Sequence, residues 1–326
     1  MMTTTTMTNP NILILGGSGF IGRSLCEQLT RAYGGRAHIT VPTRRLTHAQ
    51  AIQGLPGLTV LPADVHQPGQ LEGLLRGHDV VINLIAILQG NEAQFERAHV
   101  ALPRRLAEAC AATGVRRLIH VSALGVSNDG PPAPSRYLRS KAAGEAVLRD
   151  ADLDLTLLRP SVVFGAGDHF VNLFAKLQSV FPLLPLAGAK VKFQPVWVED
   201  VAAALVACVQ DGNTAGQTFE LAGPQVLTLA DIARLAGKIS GHARPILALP
   251  APLAWAQALM MEMLPGEPLM SRDNLASMQV ANVAGGLLPG LETLGITPQS
   301  IAAVVPSYLS AGQGCARLEA WRAGRD

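Results

Sequence analysis

Gly16-Gly17-Ser18-Gly19-Phe20-Ile21-Gly22 decides how this chain is read. The apolar run Asn11-Ile12-Leu13-Ile14-Leu15 precedes it, and a helical pattern from Phe20 to about Tyr33 follows. Strand, glycine turn and helix in that order let a backbone approach a pyrophosphate closely. The helix N-terminus adds unpaired N–H groups and the positive end of its dipole. The spacing fits Gly17-x-Gly19-x-x-Gly22 and Gly16-x-x-Gly19-x-x-Gly22 equally. A plain strand-to-helix turn is the alternative, but a buried-strand pattern so near the N-terminus favours nucleotide binding. The expected contacts are Gly16, Ser18, Gly19, Phe20, Ile21 and Gly22.

Outward from that turn, strands and helices alternate. Residues 37–41, 58–61, 79–85, 117–121 and 154–158 read as strands two to six; helices are expected over 92–113 and 135–150. The unbroken apolar run 79–85 suits a strand covered on both faces. This rhythm means α/β architecture, a doubly wound parallel sheet with the nucleotide at the carboxyl edge of the strands. Beyond Pro160 the pattern loosens into Gly- and Pro-rich connections. Residues 11–165 are expected to form the nucleotide-binding domain, with helix 198–211 and strand 217–221 returning to it. Segments 166–197 and 222–312 would form a smaller C-terminal α/β lobe, with tails at 1–10 and 313–326. Residues 250–264, rich in Leu, Met and Trp255, read as a buried helix of that lobe. The alternative is a surface that meets a membrane or an apolar partner, since Met-rich helices suit adaptable binding.

Bulk composition narrows the classes. Lys plus Arg number 26 and Asp plus Glu 24 in 326 residues, so no net charge argues for nucleic acid. Cys26, Cys110, Cys208 and Cys315 are scattered, and the first three lie in apolar helical patterns. Buried reduced thiols and a reducing, cytoplasmic compartment are expected. The eight histidines do not cluster with cysteines, so no metal site is expected. The Met- and Thr-rich N-terminus lacks the features of a signal peptide, and no apolar run is long enough to span a bilayer.

Where an acid would hold the ribose hydroxyls of NAD, the end of strand two reads Pro42-Thr43-Arg44-Arg45. Two guanidiniums suit a 2′-phosphate, so NADP(H) is the expected cofactor, with NAD(H) as the alternative. Asp64-Val65, past strand three, lies where the adenine amino group is met, although Asp64 could simply cap the next helix. Leu84 and Ala86 after strand four and Pro160 after strand six complete the expected cofactor contacts. Tyr137-Leu138-Arg139-Ser140-Lys141 puts a phenol and an ammonium on one helical face. Lys141 would hold the nicotinamide ribose and lower the phenol's pKa, making Tyr137 an acid or base. Ser122, at the end of strand five, would orient a substrate oxygen.

With these residues in place the chain resembles the short-chain dehydrogenase/reductase superfamily, in its extended or atypical Rossmann-fold branch. The stretches 135–145, 159–165, 194–201 and 271–274 narrow the resemblance. They are similar to the Rossmann-fold accessory subunit of respiratory complex I and its free-standing bacterial relatives, often labelled NAD-dependent epimerase/dehydratase. The resemblance runs from about Asn11 to about Leu309. It implies a tightly held NADPH, a peripheral position near a membrane quinone site, and in some relatives a tie to ubiquinone biosynthesis.

The chain departs from the branch at two places. His99, followed by Val100, stands where extended enzymes carry an Asn that helps a water-linked proton relay. Strand five ends Val121-Ser122-Ala123, so a shift of one residue would put Ala123 in the catalytic serine's place. Gly167-Asp168-His169 either lines a substrate pocket or forms a capped turn with an exposed His. Three functions follow: an oxidoreductase on an apolar or quinone-like carbonyl, a non-catalytic NADPH-binding accessory or assembly subunit, and a nucleotide-sugar epimerase or dehydratase. The first two allow peripheral contact with the inner membrane and with a respiratory or quinone-biosynthesis complex.

Overall fold

The computed structural model describes residues 9–67, 69–127, 132–263, 266 and 268–310. Of the expected tails, 1–10 and 313–326, residues 1–8 and all of 313–326 with Cys315 lie outside the described residues, as does Leu264. Two compact units divide the chain. The first comprises Met1–Pro160, Glu199–Leu221 and Gly285–Ile296; the second comprises Ser161–Val198, Ala222–Ala284 and Thr297–Asp326.

In the first unit, β1 (Asn11–Leu15) leads into α1 (Phe20–Ala32), followed by β2 (His38–Thr43) and β3 (Leu58–Pro62). Then come α2 (Gln70–Leu75), β4 (Val80–Asn83), α3 (Glu92–Glu96), a π-helical turn over Arg97–Ala101, and α4 (Leu102–Thr113). The run closes with β5 (Arg117–Val121), α5 (Arg136–Arg149) and β6 (Asp154–Pro160). In the second unit follow β7 (Val163–Phe164), α6 (Val171–Val180), β8 (Leu184–Leu186), β9 (Lys192–Phe193) and β10 (Val196–Trp197). Helix α7 (Val198–Gln210) and β11 (Thr218–Leu221) belong to the first unit almost entirely.

The sheet of the first unit has seven strands in the order β11-β6-β5-β4-β1-β2-β3, all parallel. Strands β4 and β5 are buried along their whole length, as central strands covered on both faces must be. Edge strand β3 is half open to solvent. Leu13, Leu15, Val81, Leu118, Leu155 and Leu157 share a core cluster with Leu102, Leu106 and Cys110 of α4.

Two elements differ from the sequence expectation. Strand β4 stops at Asn83 because the Asn83 side-chain carbonyl takes the Ile85 amide at 3.2 Å and turns the chain. The expected single helix over 92–113 is broken into α3, the π turn and α4. An α-helical period alone does not predict a π turn, which inserts one residue per turn.

The second unit packs α6 beside α8 (Leu229–Ile239), with Phe174, Leu184, Ile232, Ala233 and Ala236 in its core. Thr228 caps α8 and exchanges hydrogen bonds with Asp231. Helix α9 (Ala251–Glu262) corrects the expectation of a buried helix. Leu253, Trp255, Met260 and Met263 are 57, 51, 61 and 80 % exposed, and only Ala254 and Ala258 are buried.

Candidate functional site

The glycine turn is built by close approach. Gly16 has φ +84°, a left-handed conformation that favours glycine. A Cβ on Gly22 would lie 2.5 Å from the Gly16 carbonyl oxygen and from Gly17 Cα. Helix α1 therefore starts tight against the end of β1, with Gly19 as a cap that supplies no side chain and no acid in the first turn. Its first N–H groups are left for an anion, which is how a pyrophosphate is held. The backbone thus fits a dinucleotide. Arg23, exposed on the first turn of α1 and not anticipated from the sequence, donates from Nε to Ser18 O at 3.0 Å. A Cβ on Gly16 would also touch Leu84 at 3.3 Å, so the turn and the segment after β4 are neighbours.

The remaining expected cofactor residues fall around the same strand ends. Arg44 and Arg45 are exposed after β2, where Thr43 Oγ1 donates to the Arg45 carbonyl at 3.1 Å. Asp64 is half-buried, and its Oδ1 accepts the His66 amide at 3.0 Å in a turn ahead of α2. Val65 belongs to the core cluster, Ala86 is exposed, and the Pro160 carbonyl accepts the Leu124 amide at 2.9 Å.

Ser135 caps α5, accepting the Leu138 amide at 3.2 Å, and so sets the start of the helix that carries Tyr137 and Lys141. Lys141 is 2 % exposed, and Nζ donates to the Val121 carbonyl at 2.8 Å, at the end of β5. Burial lowers its pKa to about 8, with the Glu145 carboxylate pulling the other way. Tyr137 lies edge-on to His99 with ring centroids 5.6 Å apart, and to Phe95 at 6.3 Å. Burial pushes the phenol up to about 12, opposite to the lowering expected from Lys141, whose ammonium donates to the Val121 carbonyl.

Ser122 is buried, and its hydroxyl has no hydrogen-bond partner among the described residues. Glu145, one turn beyond Lys141, is wholly buried and ion-paired to Arg159. Sequence reading quoted both residues but gave neither a role; burial of a Glu and an Arg inside regular elements is not visible in a linear pattern. Ala123 is also buried.

Asn83 and His120 form a second unanticipated pair. Asn83 Nδ2 donates to His120 Nδ1 at 3.1 Å across β4 and β5, which leaves the His120 proton on Nε2. Burial first, then the charge of Lys141, holds His120 far below its ordinary pKa. In the second unit, Asp168 accepts the amides of Gly165, Phe170 and Asn172, and His169 is exposed. That is a capped turn.

A dinucleotide cradle at the carboxyl ends of parallel strands, with a tyrosine and a lysine on the helix that follows β5, defines a nucleotide-dependent dehydrogenase-like class. The chain belongs to the NAD(P)H-binding family, whose model matches residues 16–212. It is 32 % identical to the mitochondrial NADH dehydrogenase (ubiquinone) 1 alpha subcomplex subunit 9 of Mus musculus over 295 residues, covering 87 % of this chain and 76 % of that protein. It is 30 % identical to the ceramide reductase of Caulobacter vibrioides over 200 residues, covering 60 % of each. Among solved structures, a nucleoside-diphosphate-sugar epimerase from Staphylococcus aureus superposes with a TM-score of 0.70 at 17 % identity, covering 91 % of this chain and 99 % of that one. That likeness concerns the fold alone.

Proposed function

We propose that this protein binds NADP(H) in the Gly16–Gly22 turn and reduces a carbonyl on an apolar, quinone-like molecule. The observation that carries the reading is the pairing on α5 of the half-buried Tyr137 with the buried Lys141, whose Nζ donates to the Val121 carbonyl at the end of β5. When bound, the reduced nicotinamide supplies the hydride for the carbonyl carbon. Tyr137 donates its phenolic proton to the carbonyl oxygen, and Lys141 sits beside it as the local store of positive charge. A phenol held near 12 is fully protonated at neutral pH, which is the state a proton donor needs. Arg44 and Arg45 fit a 2′-phosphate, since no carboxylate ends β2 and neither guanidinium has an ion pair among the described residues.

A second reading is favoured by Ser122. Its hydroxyl oxygen is fully buried, without a hydrogen-bond partner among the described residues, and the next residue is Ala123, so neither presents an accessible hydroxyl to orient a substrate oxygen. The protein would then be an NADPH-holding accessory subunit of a respiratory complex, as the name of the mouse relative suggests. One experiment separates the two. Stopped-flow oxidation of bound NADPH by short-chain quinones and apolar ketones is compared between wild type and Tyr137→Phe. The enzyme reading expects the rate to fall by about 10²–10⁴ with nucleotide still bound. Equal rates in both proteins, or none in either, would leave the accessory reading.

A further inference from the structure

The π turn over Arg97–Ala101 interrupts the helical run that packs against α5, and it carries His99, whose ring lies against Tyr137. His99 is 2 % exposed. Its Nε2 lies 3.1 Å from the Ile87 amide, which can only donate. Nδ1 must then carry the ring proton of a neutral imidazole. Nδ1 lies 2.8 Å from Ser140 Oγ, and that hydroxyl in turn donates to the Tyr137 carbonyl at 2.8 Å. The ring edge rests on Tyr137 and its other side on Phe95. A π turn is the means by which a helix brings one residue out of register.

Helix α5 is shaped to accept this arrangement. A Cβ on Gly144 would land on the His99 carbonyl oxygen, so only glycine lets α5 come this close to the π turn. The groups that face the imidazole are Lys141, His120 and Tyr137. Burial first, then the charge of Lys141, lowers the His99 pKa to about 3, so the ring stays neutral across the physiological range.

We infer that His99 is a positioning residue, an imidazole fixed in its Nδ1–H form that ties the segment after β4, through Ile87, to the helical turn that carries Tyr137. It is not a proton relay, because both ring nitrogens are committed, Nε2 to the Ile87 amide and Nδ1 to Ser140 Oγ. Leu84, which touches the glycine turn, and Ile87, which His99 holds, lie on one short segment. Nucleotide binding at that turn and the setting of Tyr137 are therefore coupled through one imidazole. The inference rests on the reading of Tyr137 as proton donor, but its tests do not require turnover.

The tests are nitrogen NMR on protein with labelled histidine, His99→Ala identifying the signal, and amide exchange at Ile87. The expected spectrum has an unprotonated Nε2 and a protonated Nδ1 that do not change from pH 5 to pH 9, with a protected Ile87 amide. His99→Gln keeps an acceptor and should retain that protection, whereas His99→Ala should lose it. Ser140→Ala should weaken NADPH binding about fivefold, the worth of one hydrogen bond, and Ser140→Thr should restore it. Titration of His99 near pH 6.5, an Nε2–H tautomer, or NADPH affinity indifferent to Ser140→Ala would overturn the inference. Absence of turnover with these signatures intact would count against the reductase reading alone.

Discussion

Arg159 grips Glu145 with two edges of its guanidinium, Nε at 2.9 Å from Oε1 and Nη2 at 2.5 Å from Oε2. The pair joins α5 to β6, and Arg149 adds a longer contact to the same carboxylate at 3.5 Å. Burial alone would raise the carboxyl pKa, but the hydrogen bonds and charge of Arg159, helped by the charge of Arg149, hold it below its ordinary 4.5. Removing one partner leaves the other charge buried without compensation. Glu145→Ala is expected to cost about 3–5 kcal/mol in urea unfolding. Because the folded value lies below the unfolded one, this stability is present above pH 4.5 and declines as pH falls through the folded value. The variant should lose that acid dependence; an unchanged acid limb would show that Glu145 does not set it.

Lys141 is shifted in the same direction, but its charged form is the penalised one, so at neutral pH its burial is a cost. Its pKa falls from 10.5 unfolded to about 8 folded, so above pH 8 the unfolded chain binds more protons and stability rises with pH. The clean window is pH 7 to 9, since the buried thiols of Cys26, Cys110 and Cys208, raised by burial, act against it above their ordinary 9.0. Lys141→Met should abolish turnover while gaining about 1–3 kcal/mol at pH 7, because it removes a buried charge. Thermal unfolding at pH 7 and pH 9 measures this. A loss of stability at pH 7 would mean that the bond to Val121 outweighs desolvation.

Replacing Arg44 and Arg45 together by Ala should weaken NADPH by about 10–100-fold and leave NADH nearly unchanged, since charge-assisted contacts to the 2′-phosphate are lost. Fluorescence titration of both nucleotides decides it. A parallel loss for both would place the two arginines at the pyrophosphate or in the fold, not at the 2′-phosphate.

Helix α9 offers Leu253, Trp255, Met260 and Met263 to solvent, with the Arg272 guanidinium 5.6 Å over the Trp255 ring. Apolar side chains beside a cation suit the headgroup region of an anionic bilayer. Sedimentation with phosphatidylserine-containing vesicles should carry down wild type and much less of the triple variant Trp255→Ser, Met260→Ser, Met263→Ser. Its unfolding temperature should hardly move. Wild type remaining in the supernatant would reject a membrane role for this face. Among the described residues no helix is long and apolar enough to cross a bilayer, so any such contact is peripheral.

The sheet was legible because its strands are buried on both faces and separated by turn residues, and the glycine turn because Gly16 and Gly22 admit nothing larger. The Tyr137–Lys141 pair was legible from helical spacing. The state of the pair was not: the Tyr137 pKa is raised by burial, and the rings beside it, Phe95 and His99, come from a segment some 40 residues earlier in the chain. Likewise the Glu145–Arg159 pair and the Asn83–His120 pair join residues 14 and 37 positions apart, distances at which periodicity carries no information. Helix α9 was misread because apolar composition tells how much could be buried, not how much the rest of the chain is available to cover.

The position of β11 has a consequence for how the protein is made. The strand that completes the sheet beyond β6 comes 58 residues after Pro160, once β7 to β10 and α7 have passed. A nascent chain that has just released β6 carries six strands of a seven-strand sheet, with an apolar strand at its rim. Such an edge recruits other strands. Fragments that end between residues 161 and 217 are therefore expected to aggregate or to occupy a chaperone, and extension through Leu221 closes the rim.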